Sequence, residues 1–359
     1  LDPPSKLKKE KSHRFEALFK GTFNMDIHLQ KQYERLLTSY IQDPKEDHLY
    51  SAQQLRKWIM EHRVPPEEVV SFHINTMKKL LPDLPPEVKN SFDLLIEVMI
   101  GYGVAYQETE KLVTRQRELE YEIEVAVGMQ QTLLPASPPP LPGVDIGVLS
   151  VAAKRMSGDY YNFVDHGMGS LGVAISDIIG KGIPAALCMS MIKYAMDRLD
   201  DNQPLSPSEI LRGLNTVVER NVDPSMFITM VYGVYDSLNH HFRYSTAGHE
   251  PGFFYNSRTN RFRDLKTQGL VLGVARDVDY REYLLKLSPG DAIILFSDGV
   301  TECKVDGQFL QRRTLKKLIR DHLKLPAQEA VEGIHQKLVE MANYQIKDDQ
   351  TILIIKRVE

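Results

Sequence analysis

Cysteine is nearly missing from this chain: there are two in 359 residues. Cys188 and Cys303 stand alone in apolar or strand-flanking surroundings. That excludes a disulfide framework and a thiolate zinc site, and it fits a reducing, cytosolic setting. Long hydrophobic runs are missing too. The most apolar stretch, 91–106, is broken by Asp93 and Glu97 and is too short to cross a bilayer, so it reads as a buried helix and no membrane association is expected. Excess positive charge is the third absence. A net charge of -4 and a pI near 6.3 leave no basic face for nucleic acid. Residues 1–24 are Lys-rich and have no apolar centre, so no secretory signal is expected there. A helical pattern starts right after Met25, so this stretch reads as an expression tag or a flexible extension.

The rest of the chain is ordinary in bulk, with 42% hydrophobic and 26% charged residues, and long enough for two domains. Residues 25–106 show helical runs at 29–41, 51–62, 65–80 and 85–106 and no convincing strand. Pro65-Pro66 and Pro85-Pro86 sit where helices begin. A four-helix bundle without clustered reactive side chains is expected to bind a partner or dimerise. From 107 to 134 the pattern is that of one charged linker helix. Leu112, Leu119, Ala126 and Leu133 fit heptad d positions, with Gln116, Ile123 and Gln130 at a. Two readings stay open: a weak, register-fixing coiled coil, or an amphipathic helix lying on its own domain. The first predicts that Gln130→Leu tightens a dimer and raises basal activity.

Pro135 to Pro142 ends that helix and opens a domain at 135–359. Strands are expected at 144–151, 170–176, 227–235, 241–246, 252–255, 282–287, 292–297 and 351–356. Helices are expected at 184–199, 207–221, 311–323 and 327–344. Short consecutive strands joined by turns, with helices in pairs, call for an α+β fold of two mainly antiparallel sheets flanked by helices. Ser206-Pro207-Ser208-Glu209 has the form of a capping box.

Three segments place aspartates against the ends of apolar runs: Asp177 in Ser176–Gly182, Asp298 in Phe296–Glu302, and Asp348-Asp349 before Gln350-Thr351. Singly, each reads as a turn. Together they ask for a cation, above all at Asp348-Asp349, where adjacent like charges repel unless relieved. Carboxylates without a His or Cys set select magnesium or manganese. Two such ions near three or four aspartates suit a phosphate ester, for which they activate and orient a water. Asp159, after Lys154 and Arg155, adds a fourth carboxylate. Gly180-Lys181-Gly182 before a helix is no Walker sequence; its glycines are expected to let Asp177 and its neighbour face the ions. His249 reads first as a turn or packing residue.

The motifs Ser157-Gly158-Asp159-Tyr160-Tyr161, Asp177-Ile178-Ile179-Gly180-Lys181-Gly182-Ile183-Pro184-Ala185-Ala186, Ala247-Gly248-His249-Glu250-Pro251, Ser297-Asp298-Gly299-Val300-Thr301-Glu302 and Asp348-Asp349-Gln350-Thr351 occur in this order. The pattern resembles the PPM-type metal-dependent serine/threonine protein phosphatases, in the SpoIIE branch. Pro65-Pro66-Glu67-Glu68 and 94–103 extend the likeness to the environmental-stress phosphatases of Gram-positive bacteria. The resemblance implies a PPM-type α-β-β-α sandwich and two Mn2+ or Mg2+ ions. It also implies catalytic roles for Asp159, Asp177, Asp298 and Asp348. Asp177 would bridge both metals, the Ile178 carbonyl would be a further ligand, and Asp298 and Asp348 would complete the second ion's shell. Asp159 would act directly or through water, and Asp349, which stands where many relatives carry Asn, would be a further metal ligand. The partners implied are a phosphorylated, RsbV-like anti-anti-sigma factor as substrate, an RsbT-like switch kinase as activator at the N-terminal bundle, and a second copy of the chain. The reading from another class is a catalytically dead phosphoprotein adaptor on the same fold; a two-metal nuclease is disfavoured by the charge balance.

Overall fold

The computed structural model describes residues 26–62, 64–180, 182–199, 206–223, 225–305 and 307–358. The reading of residues 1–24 as a tag or extension lies outside them. The chain divides into two compact units, with the boundary between Glu120 and Tyr121.

The first unit contains α1 (Ile27–Gln42), α2 (Glu46–Glu61), α3 (Pro66–Leu80) and the start of α4 (Pro86–Leu133). Asp26 caps α1 by accepting the His28 N–H, and Pro66 opens α3 where its missing N–H costs nothing. Small apolar clusters hold the helices, one around Leu29, Leu55 and Phe72, another around Ile74, Ile96 and Ile100. The sequence divides the last stretch into a fourth bundle helix and a linker helix. In the structure these are one unbroken helix of 48 residues, about 72 Å long at 1.5 Å per residue. No proline or capping residue stands at 106–107 to stop it.

The second unit is the two-sheet sandwich. Its strands are β1 (Val144–Val151), β2 (Asp159–Asp165), β3 (Ser170–Ile178), β4 (Ile228–Asp236), β5 (His241–Ala247), β6 (Phe253–Asn256), β7 (Arg261–Asp264), β8 (Tyr283–Lys286), β9 (Ala292–Phe296), β10 (Lys304–Val305), β11 (Gln308–Phe309) and β12 (Gln350–Arg357). Its helices are α5 (Ile183–Leu199), α6 (Pro207–Asn221), the single turn α7 (Asp298–Thr301), α8 (Arg312–His322) and α9 (Ala327–Met341). One five-stranded sheet runs β1-β12-β9-β6-β7 and the other β2-β3-β4-β5-β8, with every strand pair antiparallel.

Alternation along the strands builds the layers. In β9, Ala292, Ile294 and Phe296 pack toward the cluster containing α8 and α9, while Ile293 and Leu295 enter the cluster between the sheets. In β12, Ile352 and Ile354 join the first cluster and Leu353 and Ile355 the second. On the other sheet, Val173 and Ile175 of β3 face the inter-sheet core, and Ala174 and Ile178 face the cluster with α5 and α6. Both faces of these strands are buried, which is why they read as continuous apolar runs. β2 escapes the periodicity for the same reason: Tyr160, Tyr161 and Asn162 are all buried, so nothing alternates.

The start of α9 lies against β1. Asp145 accepts the Ala327 N–H at 2.8 Å, and a side chain at Gly147 would strike the Ala327–Gln328 backbone. By contrast, Gly128 in α4 has open space around it. Gly147→Ala is therefore expected to destabilise the protein by about 1–3 kcal/mol. Gly128→Ala is expected to stabilise it by up to about 1 kcal/mol through helix propensity. Urea unfolding measures both, and shifts of the same sign would contradict this packing.

Candidate metal centre

Two antiparallel pairings set the acids. β2 begins at Asp159 and β3 ends just past Asp177, and register puts these two residues opposite each other. In the other sheet β9 ends at Phe296 just before Asp298, and β12 begins just after Asp348-Asp349, with Phe296 opposite Ile352. Side chains and backbone then tie the two sheet ends together. Thr351 Oγ1 donates to Asp159 Oδ2 at 2.7 Å. Gly158 N–H donates to Asp349 Oδ2 at 2.6 Å and Ala153 N–H to Asp349 Oδ1 at 2.7 Å. Within the β1-β12-β9 sheet, Ser297 N–H reaches the Thr351 carbonyl and Thr351 N–H reaches Ser297 Oγ, both at 3.0 Å.

Two glycines let the backbones approach. A methyl group at Gly299 would overlap the Asp349 carbonyl, so only glycine allows the Asp298 turn to lie against Asp348-Asp349. At Gly158 a methyl group would meet the Ile178 carbonyl at 3.0 Å, Asp177 Oδ1 at 3.2 Å and the Gly180 carbonyl at 3.5 Å. Three oxygens thus converge over the bare face of Gly158. Gly180 has φ 115°, which turns the chain after Ile179 toward α5. Lys181 lies outside the described residues.

The electrostatics are those of crowded acids. Burial raises the Asp159 carboxyl well above the usual range, and the nearby Asp177 and Asp349 push the same way against hydrogen bonds from Ser297 and Thr351. Asp298 is also raised, by burial first and then by Asp348, with Glu302 and Glu250 adding to the effect. The acids fall into two groups, Asp159 with Asp177 and Asp298 with Asp348. Among the described residues no three acidic, His or Cys side chains are drawn together tightly enough to hold an ion unaided. The donor set fits hard divalent cations: it consists of carboxylate and carbonyl oxygens, three of them cradled over Gly158, and its crowding is of the kind a cation relieves.

The structure brings Asp159, Asp177, Ile178, Asp298, Asp348 and Asp349 to one end of the sandwich, with differing engagements. Asp159 follows β1 in the chain and is the first residue of β2, a strand not expected from the sequence, where it is only 1% exposed. Both oxygens of Asp349 accept backbone N–H groups, so this carboxylate holds the 153–158 loop. Lys154 and Arg155 are exposed on that loop. His249 is buried, with Thr229 Oγ1 at 2.8 Å from its Nδ1, and Thr229 is the register partner of Asp177 on β4. Burial pulls the imidazole down to about 4, so it is neutral at pH 7. Thr351 and Ser297, which the sequence reading did not name as site residues, are the hydroxyls that orient Asp159 and join the sheets. Their one signal is position, next to the acids at strand ends.

As a heptad a position Gln130 should face a second helix; instead it is 5% exposed and hydrogen-bonded to the backbone of Ser157. Ile123, Ala126 and Val127 are half-buried on the same stripe, and Leu133 and Leu134 pack on the α5–α6 cluster. Leu112 and Leu119 are exposed. The C-terminal part of the stripe therefore follows the reading of an amphipathic helix on its own domain.

Residues 167–358 match the family described as stage II sporulation protein E (SpoIIE), and residues 31–105 match the N-terminal domain of phosphoserine phosphatase RsbU. The chain is 50% identical over 329 residues to phosphoserine phosphatase RsbU of Bacillus subtilis, covering 92% of this chain and 98% of that protein. It is 28% identical to protein IcfG of Synechocystis, covering 66% of this chain and 41% of that one. Among solved structures, the SiaA PP2C domain of Pseudomonas aeruginosa superposes with a TM-score of 0.59 at 20% identity, over 67% of this chain and 98% of that domain. The RsbU and RsbW domains of a Mycobacterium tuberculosis protein give 0.54 at 23% identity, over 63% of each chain. The sandwich is thus the PP2C fold, and the chain belongs to the SpoIIE family of PP2C-type serine/threonine phosphatases, with an RsbU-type N-terminal domain in front.

Proposed function

We propose that the chain removes phosphate from a phosphoserine on an RsbV-like anti-anti-sigma factor, that this releases a stress sigma factor, and that an RsbT-like partner binding residues 26–106 switches it on. The observation that carries the chemistry is the convergence of Asp177 Oδ1 and the Ile178 and Gly180 carbonyls over Gly158, beside buried Asp159. Asp177 and the Ile178 carbonyl would hold one side of a pair of divalent cations, Mn2+ or Mg2+, and Asp298 and Asp348 the other, with Asp159 in support. Such ions, when bound, supply Lewis acidity and an acidified water at neutral pH.

The residues themselves do the positioning. Thr351 turns the Asp159 carboxylate, Asp349 holds the loop that bears Gly158, and Gly299 brings Asp298 beside Asp348. Neutral His249 secures Thr229 next to Asp177 without adding a charge that would compete for the carboxylates. No protein nucleophile is called for: Cys188 and Cys303 are buried, and burial pushes both thiols up.

The partner side rests on the first unit. An apolar groove of about 840 Å³ there is lined by Tyr33, Leu36, Leu55, Ile59, Met99 and Tyr102 among others. With the exposed Leu112 and Leu119 it supports a reading in which the activator and a second copy of the chain engage this half. Among the described residues no helix is long and apolar enough to cross a membrane.

Asp177→Asn is expected to cut Mn2+-dependent release of phosphate from a phosphoserine protein on the order of 10²- to 10³-fold. Binding of the phosphoprotein without turnover by the wild-type chain would instead favour the adaptor. The buried His249 gives a second expectation. Its folded pKa lies below its unfolded value, so its contribution to stability is complete above about 6.5 and is lost as pH falls toward 4, about 3 kcal/mol in all. His249→Gln should flatten that part of the stability–pH profile in denaturant titrations; an unchanged slope would contradict a buried neutral imidazole.

A further inference from the structure

The backbone at 157–159 carries an unusual share of the contacts around the acids. Gly158 N–H is taken by Asp349, the Gly158 carbonyl accepts Ile178 N–H at 3.1 Å, and Asp159 N–H is held by Ser157 Oγ at 3.0 Å. One residue back, both backbone polar groups of Ser157 go to a single side chain. Gln130 Nε2 donates to the Ser157 carbonyl at 2.7 Å, and Gln130 Oε1 accepts the Ser157 N–H at 3.0 Å. A carboxamide carries a donor and an acceptor at the spacing needed to pair with one residue's N–H and C=O. Leu or Met at this position would fill the space and leave both Ser157 groups unpaired; Glu would keep the acceptor and lose the donor. The buried location makes either loss costly.

We propose that Gln130 is a positioning residue for the phosphatase centre: from the last turns of α4, its two hydrogen bonds to Ser157 set the Gly158–Asp159 corner over which Asp177 and the Ile178 carbonyl converge. Gln130 touches no reacting atom. It acts through Ser157, whose peptide is continuous with the glycine that must stay bare and with the buried Asp159. The end of α4 is therefore a handle on the site, and a displacement or rotation that withdraws Gln130 frees the corner from one of its three anchors, the others being Asp349 and β3. This reverses the outcome expected from a coiled-coil seam: Gln130→Leu lowers activity.

The proposal rests on the two-ion reading, and its test keeps the two apart. In the full chain, Gln130→Met removes both hydrogen bonds at similar volume, and Gln131→Met, an exposed neighbour, is the control. Three readouts are taken: Mn2+ affinity by titration calorimetry, amide exchange of segments 153–159 and 177–179, and Mn2+-dependent turnover of a phosphoserine protein. Gln130→Met is expected to weaken Mn2+ binding about 10- to 100-fold, the range seen when a partner behind a metal ligand is lost. It should also speed exchange at Gly158 and Ile178, and saturating Mn2+ should restore kcat with the substrate KM unchanged. Gln131→Met should match wild type in all three. Wild-type Mn2+ affinity and exchange in Gln130→Met would overturn the proposal. If Gln130→Met does not fold, Gln130→Glu carries the same test with the same overturning result. If the wild-type chain takes up no Mn2+, the two-ion reading fails, and faster or unchanged exchange at Gly158 and Ile178 still decides for or against Gln130.

Discussion

Burying like charges side by side is the constraint on which the second unit depends. Asp159 is almost fully enclosed and Asp298 is raised by burial and by Asp348, so the folded chain bears a cost at one end of the sandwich. That cost is sustained because the inter-sheet core is large and both faces of β3, β9 and β12 are packed. The sheets cannot slide to relieve it, since a one-residue slip would turn Ile293 and Leu295 away from the core. Neutral donors, the Thr351 and Ser297 hydroxyls and the Ala153 and Gly158 amides, meet Asp159 and Asp349. They orient carboxylates without quenching their charge, which leaves attraction for a cation intact.

Much of this was legible in the sequence because the acids follow or precede uniform apolar runs, and such runs mark buried strands. That signal alone locates Asp177, Asp298 and Asp348 at strand ends, and motif order carries the resemblance to the family. That Asp159 also opens a strand of its own, β2, leaves no sequence pattern, because Tyr160, Tyr161 and Asn162 are buried together and show no period. Only the family resemblance separates Asp349 from its neighbour Asp348; apolar patterning does not, since the backbone donors that occupy Asp349 come from Ala153 and Gly158, nearly two hundred positions away in the chain. Long-range pairing of that kind leaves no local pattern. The hydroxyls of Ser297 and Thr351 have only their position beside the acids as a signal, because their bonds to Asp159 are equally long-range.

The long helix shows how one sequence pattern can serve two surfaces. A heptad reading joins Leu112 to Leu133 in a single seam, but burial divides it. Leu112 and Leu119 remain exposed, while Gln130, Leu133 and Leu134 belong to the phosphatase unit. A polar residue at a seam position is usually explained by register. At Gln130 it is explained by Ser157. Hydrophobic spacing locates a helix face, and only the partner's polar groups say what the face is for.

The central claim is that the acids at the joined sheet ends hold two divalent cations. Crystals of the chain grown with Mn2+ and measured at the manganese absorption edge test it directly. The account predicts two anomalous peaks about 3.5–4 Å apart, with Asp177 between them and Asp298 and Asp348 on one of them. No peak at these residues, or a single ion that Asp177 does not touch, would contradict it.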